Sequence, residues 1–271
     1  MTTLQAFILG LVQGLTEFLP VSSSGHLVLL PWWLGWDNPG LAFDALLHWG
    51  TLLAVVIFFW RDWWEMLMAL VRKVRGKPVQ GKDHLLLAIL VGTIPAALLG
   101  FLLEDFFESL FGQPAAVAVF MIVTGFLLMF AEWWTRSHRQ GRPMEKLSYL
   151  DAIFVGVGQA LAIAPGISRS GSTIAAGLVR GLDRPTAARF SFLLGTPIIF
   201  GAGLLKLKDL VEMGVSGSGM TPLVVGFLTA FISGILAIRY LLRYLQNHTL
   251  NVFAYYVWAV ALLSLGRYFL M

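Results

Sequence analysis

Residues 13–26 read QGLTEFLPVSSSGH. They set Gln13, Glu17, three consecutive serines and His26 between two apolar stretches, AFILGLV before and LVLLPWWLG after. An ionisable side chain at the centre of a spanning helix costs roughly 2.5–3.5 kcal/mol, so this cluster does not face lipid. It requires a wet or protein-lined cavity and a helix that is broken at depth to build one.

The rest of the chain agrees with a bilayer setting. Of 271 residues, 58% are hydrophobic and only 13% are charged, and the mean hydropathy of +0.78 excludes an ordinary soluble domain. Runs such as LLAVVIFFW, LLLAILVGTIPAALLGFLL and FAYYVWAVALLSLG approach the roughly 20 residues that cross a bilayer as helix, without the alternation of barrel strands. The fold class is therefore an all-α integral membrane protein. MTTLQAFILG has neither a basic leader nor a small-residue cleavage site, so we expect the first segment to be working structure rather than a signal peptide. The absence of cysteine excludes disulfides, iron–sulfur clusters and thiolate zinc sites, so any metal needs oxygen or imidazole ligands. A net charge of +4 reads as an excess of cytoplasmic Lys and Arg, with no nucleic-acid partner expected.

Basic residues concentrate in the connectors from Arg61 to Lys82 (Arg72, Lys73, Arg75, Lys77) and from Arg136 to Lys146 (Arg139, Arg142), which the positive-inside rule assigns to the cytoplasm. Between them, LEDFFESLFGQ carries Glu104, Asp105 and Glu108 and no basic residue, so crossings near 85–103 and 115–134 run out and back. A crossing near 41–60 then starts outside, and segment 4–35 before it begins and ends outside as a re-entrant hairpin. Segment 150–182 enters as a second hairpin from the opposite face. Crossings near 187–206, 222–240 and 250–269 follow, with Arg239 and Arg243 inside and both termini outside.

The chain also aligns with itself. Gly10, Gln13, Leu15, Ser22, Ser24 and Gly25 match Gly156, Gln159, Leu161, Ser168, Ser170 and Gly171 at one constant offset. Gly50-Thr51 recurs at Gly195-Thr196, and Gly92 and Gly100 recur at Gly226 and Gly234. We read two halves in one membrane domain, 1–135 and 150–271, each with one hairpin and three crossings. An odd number of crossings turns the second half over, giving an inverted-topology repeat of six transmembrane helices plus two re-entrant hairpins. Such folds bring broken helices together near the midplane around a polar ligand.

The residues at those breaks have a common chemistry. Gln13 and Glu17 are four apart and share a helix face. A serine-rich turn opening a helix offers hydroxyls, orphan N–H groups and a positive dipole end, which suits an anion. Its second copy, PGISRSGS, repeats Ser168, Ser170 and Gly171 and adds Arg169, whose planar fork suits phosphate. His26 could serve as base, acid, nucleophile or ligand. Asp44 and His48, four apart at the start of a crossing, could line the outer mouth but read more simply as ordinary polar positions. Gly10-x-x-x-Gly14 and Gly177-x-x-x-Gly181 read as helix contacts, and the ten tryptophans as interfacial belts. No Walker loop, nucleotide fingerprint or zinc-type histidine pair is present.

QGLTEFLPVSSSGH and PGISRSGST resemble the (E/Q)xxxE–PxSSxGH and PGxSRSxxT signatures of the bacterial undecaprenyl-diphosphate phosphatases of the bacitracin-resistance type. The resemblance implies removal of the terminal phosphate of undecaprenyl diphosphate and a divalent cation, magnesium or calcium. Positive-inside counting, which has the first hairpin enter from outside, favours a site near the outer leaflet of a bacterial plasma membrane, while two hairpins at the midplane could open either way. Carried over by motif position, Glu17, Ser23, His26 and Arg169 are catalytic, and Glu17 is also the metal ligand. Gln13, Ser22, Ser24, Gly25, Ser168, Ser170 and Gly171 line the substrate. Many members have glutamate where Gln13 stands, so this site has one carboxylate fewer. Ser23, or a water in its place, would attack phosphorus with His26 or Glu17 as base. A lipid flippase, alone or alongside the phosphatase, and a non-catalytic lipid-binding scaffold are the alternatives. Glycine-rich faces are compatible with a homodimer.

Overall fold

The computed structural model describes residues 1–37, 40–76, 84–138, 141–212 and 217–270, with backbone alone at 104, 105, 108, 206–212 and 217–219. Lys77, Lys82 and Arg139 of the basic connectors, and the side chains of Glu104, Asp105 and Glu108, thus lie outside the described set. The described elements are helical: α1 (Thr3–Phe18), α2 (Ser23–Leu34), α3 (Leu41–Phe58), α4 (Trp60–Val74), α5 (Leu85–Phe111), α6 (Pro114–Ser137), α7 (Tyr149–Leu161), α8 (Arg169–Val179), α9 (Arg184–Glu212), α10 (Gly217–Tyr244) and α11 (Asn251–Leu270).

Six of these, α3, α5, α6, α9, α10 and α11, contain stretches long and apolar enough to cross a bilayer, which makes the chain a multi-pass membrane protein. They fall on the crossings read from hydropathy. The pairs α1–α2 and α7–α8 have members of 16, 12, 13 and 11 residues, shorter than the roughly 30 Å hydrocarbon layer at 1.5 Å per residue. One expectation is corrected: Arg61–Val74 is not a plain connector. It belongs to α4, an amphipathic helix with Trp60, Trp64 and Leu67 exposed beside Arg61, Glu65, Arg72 and Lys73. The basic residues had hidden an apolar stripe suited to the membrane interface.

Local sequence explains the helix starts. Thr2 caps α1 in a reciprocal box with Gln5, and Ser148 caps α7 in the same way with Asp151. Ser22 Oγ accepts the Gly25 N–H at 3.1 Å at the start of α2, and Ser168 Oγ accepts the Gly171 N–H at 3.0 Å at the start of α8. Ser22 takes a positive φ of 72°, an uncommon conformation for a residue with a Cβ, and so turns the chain sharply between α1 and α2.

Packing interleaves the chain. α1 lies on α10, α7 on α5, α6 on α11 and α3 on α9. Glycines allow two of these approaches: a Cβ at Gly10 would overlap Gly226 O, and one at Gly156 would overlap Gly92 O. The glycine faces compatible with a homodimer are thus engaged within the chain. Gly14 is covered by Ala230 and Ser233 of α10, and Gly177 faces Ala187 of α9. Phe18, Phe59 and Phe192 anchor the main apolar core.

Charged pairs gather where α6 and α8 end and α7, α9 and α11 begin. Glu132 accepts Arg184 Nε at 2.9 Å, Arg184 Nη2 at 2.5 Å and the Leu250 N–H at 2.9 Å. Asp151 accepts Arg180 Nε at 2.7 Å, Arg142 Nη1 at 3.0 Å and Ser148 Oγ at 2.8 Å. Arg189 Nη2 donates to both carboxylate oxygens of Asp62 at 3.0 Å. These full sets of partners tie one end of the helix assembly together.

Candidate functional site

At the opposite end of α9 from Arg184, a cavity of about 280 Å³ is lined by Glu17, Ser23, Ser24, Asp44, His48 and Arg169 under an apolar wall that includes Ile163, Ile198 and Ile199. Each polar member arrives from a helix end. Glu17 closes the last turn of α1, Ser23 and Arg169 open α2 and α8, and Asp44 and His48 occupy the first two turns of α3.

Glu17 is the hub. It is 5% exposed and surrounded by donors: Ser23 Oγ gives to Oε2 at 2.6 Å, Gln13 Nε2 to Oε2 at 3.1 Å, and Arg169 Nη2 to Oε1 at 3.1 Å. His48 Nε2 stands 3.5 Å from Oε2. Arg169 is held from behind, its Nη1 donating to Ser191 O at 3.2 Å. The Ser191 hydroxyl bonds that of Thr173 on α8 at 2.6 Å. Gly195 lies directly beneath the guanidinium, where a Cβ would overlap Arg169 Nη1. The carboxylate–guanidinium contact therefore joins α1 to α8, two segments more than 150 residues apart in sequence.

The two serine turns are stitched to one another. The Gly166 N–H donates to Ser24 Oγ at 3.3 Å, and Ser170 Oγ donates to Leu19 O at 3.1 Å. Ser22 and Ser24 hydroxyls are 3.3 Å apart, and Ser168 and Ser170 hydroxyls 3.2 Å apart. Ser24 lines the cavity. Ser22, Ser168, Ser170, Gly25 and Gly171 lie behind its surface and shape the turns. Gly25 leaves room for Met121, whose Sδ would be 2.8 Å from an added Cβ.

His26 does not share the cavity wall. Its ring stacks on Tyr256 of α11, Nε2 is 2.9 Å from the Tyr256 hydroxyl and Nδ1 donates to Ser22 O at 2.7 Å. Conversely, Asp44 and His48, read from sequence as ordinary polar positions, belong to the cavity. The signal was present: two ionisable residues four apart on an otherwise apolar crossing share one face. What sequence lacked was the packing of α3 against α1.

A carboxylate bonded to a serine hydroxyl, an arginine on the same carboxylate and two helix N-termini, enclosed by apolar walls, can polarise an oxygen nucleophile and bind a phosphorylated group on an apolar tail. The chain matches the family described as bacitracin resistance protein BacA over residues 6–263. It is 45% identical over 271 residues, covering 100% of this chain and 99% of the relative, to a protein of Moorella thermoacetica named undecaprenyl-diphosphatase. A Rubrobacter xylanophilus protein of that name is 47% identical over 264 residues, 96% of each chain. One from Thermodesulfovibrio yellowstonii is 40% identical over 268 residues, 98% of this chain and 97% of the relative. With a match that runs through both serine turns and nearly the whole helix assembly, the chain belongs to the bacitracin resistance protein BacA family.

Proposed function

We propose that this protein hydrolyses undecaprenyl diphosphate to undecaprenyl phosphate and inorganic phosphate, recycling the lipid carrier of peptidoglycan and other envelope polymers and so conferring bacitracin resistance. The observation that carries the reading is the 2.6 Å bond from Ser23 Oγ to Glu17 Oε2 beside the Arg169 contact to Oε1. Ser23 Oγ attacks the terminal phosphorus, its proton passes to Glu17, and the bond from that phosphorus to the bridging oxygen breaks. The electron pair leaves with undecaprenyl phosphate. Water then cleaves the phosphoserine, giving inorganic phosphate and restoring the hydroxyl. Arg169 and the N-termini of α2 and α8 stabilise the charge spreading over the phosphoryl oxygens. His26, bonded to Ser22 O, positions the turn that presents Ser23.

The donor set fits a hard divalent cation, magnesium or calcium. Asp44 Oδ1 is buried in the cavity wall without a partner. Among the described residues no group of three acidic, histidine or cysteine side chains could hold a metal unaided, so substrate oxygens and water would complete the shell. Such a cation would neutralise part of the diphosphate charge.

The setting is a bacterial plasma membrane. Access from the outer side follows from the positive-inside rule, because the cavity lies away from the end rich in Arg142, Arg180, Arg184 and Arg189. The proposed architecture is two inverted halves, 1–135 and 150–271, with re-entrant pairs 4–35 and 150–182. It is supported by the matching caps at Ser22 and Ser168 and the matching glycine contacts of Gly10 and Gly156.

The test is phosphate release from a long-chain polyprenyl diphosphate by protein in detergent, with magnesium, calcium or chelator. Ser23→Ala and Glu17→Gln are each expected to lose activity by about 10³-fold or more. Retention of most activity by Ser23→Ala would rule out the phosphoserine route. Absence of release by folded wild-type protein with either metal would overturn the enzymatic reading. Gly195→Ala should lower turnover about 10²-fold by displacing the guanidinium, an expectation based on what a 1 Å misplacement costs. The clash is with a side-chain end, so its thermal unfolding midpoint in detergent should stay close to wild type.

A further inference from the structure

Glu17 has little capacity left for a metal ion. Its Oε2 accepts from Ser23 and Gln13 with His48 also close, and Oε1 accepts from Arg169. A cation on Oε2 would compete with the bond that activates Ser23, and one on Oε1 would sit beside a guanidinium. The second carboxylate of the cavity is in the opposite condition. Asp44 is on the first turn of α3 and lines the same cavity. Its Oδ1 is buried and has no hydrogen-bond partner, and no lysine or arginine among the described residues is paired with it. His48 follows it one turn further along α3, and Glu17 and Arg169 line the same cavity. The His48 Nδ1 contact is to Asp44 O at 2.8 Å, so that ring nitrogen serves the backbone carbonyl and not the carboxylate.

An uncompensated carboxylate in a membrane cavity is costly, and one placed where a diphosphate must bind would also repel the substrate. A hard cation between Asp44 and the phosphate oxygens removes both costs with the ligand type such ions prefer. We propose that Asp44 is the protein anchor of the divalent cation in this site, leaving Glu17 to Ser23 and Arg169. The assignment rests on the cavity being the diphosphate site. It gives the chain a carboxylate on α3 in place of the one that Gln13 cannot supply on α1.

Manganese serves as probe because its binding is read by loss of the free-ion electron paramagnetic resonance signal, independently of turnover. Purified protein in detergent is titrated with Mn²⁺ in the presence of methylenediphosphonate, which cannot be hydrolysed between its phosphorus atoms. We expect one site in the wild type, competed by magnesium. Asp44→Asn should weaken it at least about tenfold, the lower range seen even for indirect metal partners. Asp44→Glu should recover most of the affinity, and Glu17→Gln should leave it within about threefold, a margin small beside that loss. Wild-type affinity in Asp44→Asn with loss in Glu17→Gln would overturn the assignment, as would no manganese site in folded wild type. Thermal unfolding of each variant in detergent identifies a misfolded sample, and Asp44→Ser takes the place of Asp44→Asn if the latter does not fold. Failure here with phosphate release intact removes Asp44 alone. Failure of phosphate release in folded wild type removes the phosphatase reading, whatever manganese does.

Discussion

Arg169→Ala protein is expected to release phosphate at least about 10³-fold more slowly than wild type while remaining membrane-inserted. One charge-stabilising donor in a preorganised site is worth roughly 2.7–4 kcal/mol, and Arg169 offers a fork to the phosphoryl group. Its removal also leaves Glu17 without its guanidinium partner. Breaking one side of a buried ion pair costs about 3–5 kcal/mol. Here Arg169 is 14% and Glu17 4% exposed in their side chains, and Ser23 and Gln13 still donate to the carboxylate. The folding penalty should therefore fall at or below the lower end of that range. Arg169→Lys restores the charge without the planar fork, so it should recover part of the stability and little of the rate. Phosphate release measured beside unfolding midpoints separates the two effects. Equal losses of rate in Arg169→Lys and Arg169→Ala with unequal midpoints would identify the fork as the catalytic element.

Gly156→Val should all but remove folded protein. A Cβ at Gly156 would overlap Gly92 O and lie 2.9 Å from Gly92 C and 3.2 Å from its Cα. Those atoms are backbone, so no rotamer change relieves the contact. Overpacking a yielding core costs typically 1–3 kcal/mol, and a rigid helix contact should exceed that by forcing α7 away from α5. The readout is the monodisperse fraction on size exclusion in mild detergent, with Gly112→Ala as control. Gly112 follows α5 and has open space where a Cβ would go. A folded Gly156→Val protein would mean that α7 and α5 can separate at little cost.

The crossings were legible because a bilayer imposes a length that few other structures mimic, and LLLAILVGTIPAALLGFLL meets it plainly. Glu17 and Arg169 drew attention because a charge is expensive at depth, and Ser23 because its flanking Ser22 and Ser24 recur as Ser168 and Ser170. His48 and Asp44 carried a signal, two ionisable residues four apart, that could not outweigh the ordinary reading until α3 is known to pack beside α1. His26 was read with its turn but not with its neighbour, because Tyr256 comes from the last helix. The ion pairs Arg184–Glu132 and Arg189–Asp62 join positions far apart in sequence, and counting charges in connectors assigns sides to loops, not partners to side chains. α4 was missed for a simpler reason: its basic residues dominated a pattern that also held a tryptophan-rich stripe.

The interleaving of α1 with α10 and of α7 with α5 has a consequence for biogenesis. The first helix pair leaves the ribosome long before residues 217–244 of α10 exist. At about 5–20 residues per second the delay is roughly 10–40 s. Through that interval Gly10 has no Gly226 to rest on, and in its first part Glu17 has no Arg169 to meet. A chain stopped before α8 thus carries a carboxylate without its guanidinium, and one stopped before α10 an uncovered α1 face. Neither persists in the finished protein. The guanidinium partner arrives with α8, and the α1 face is covered only once α10 has been made.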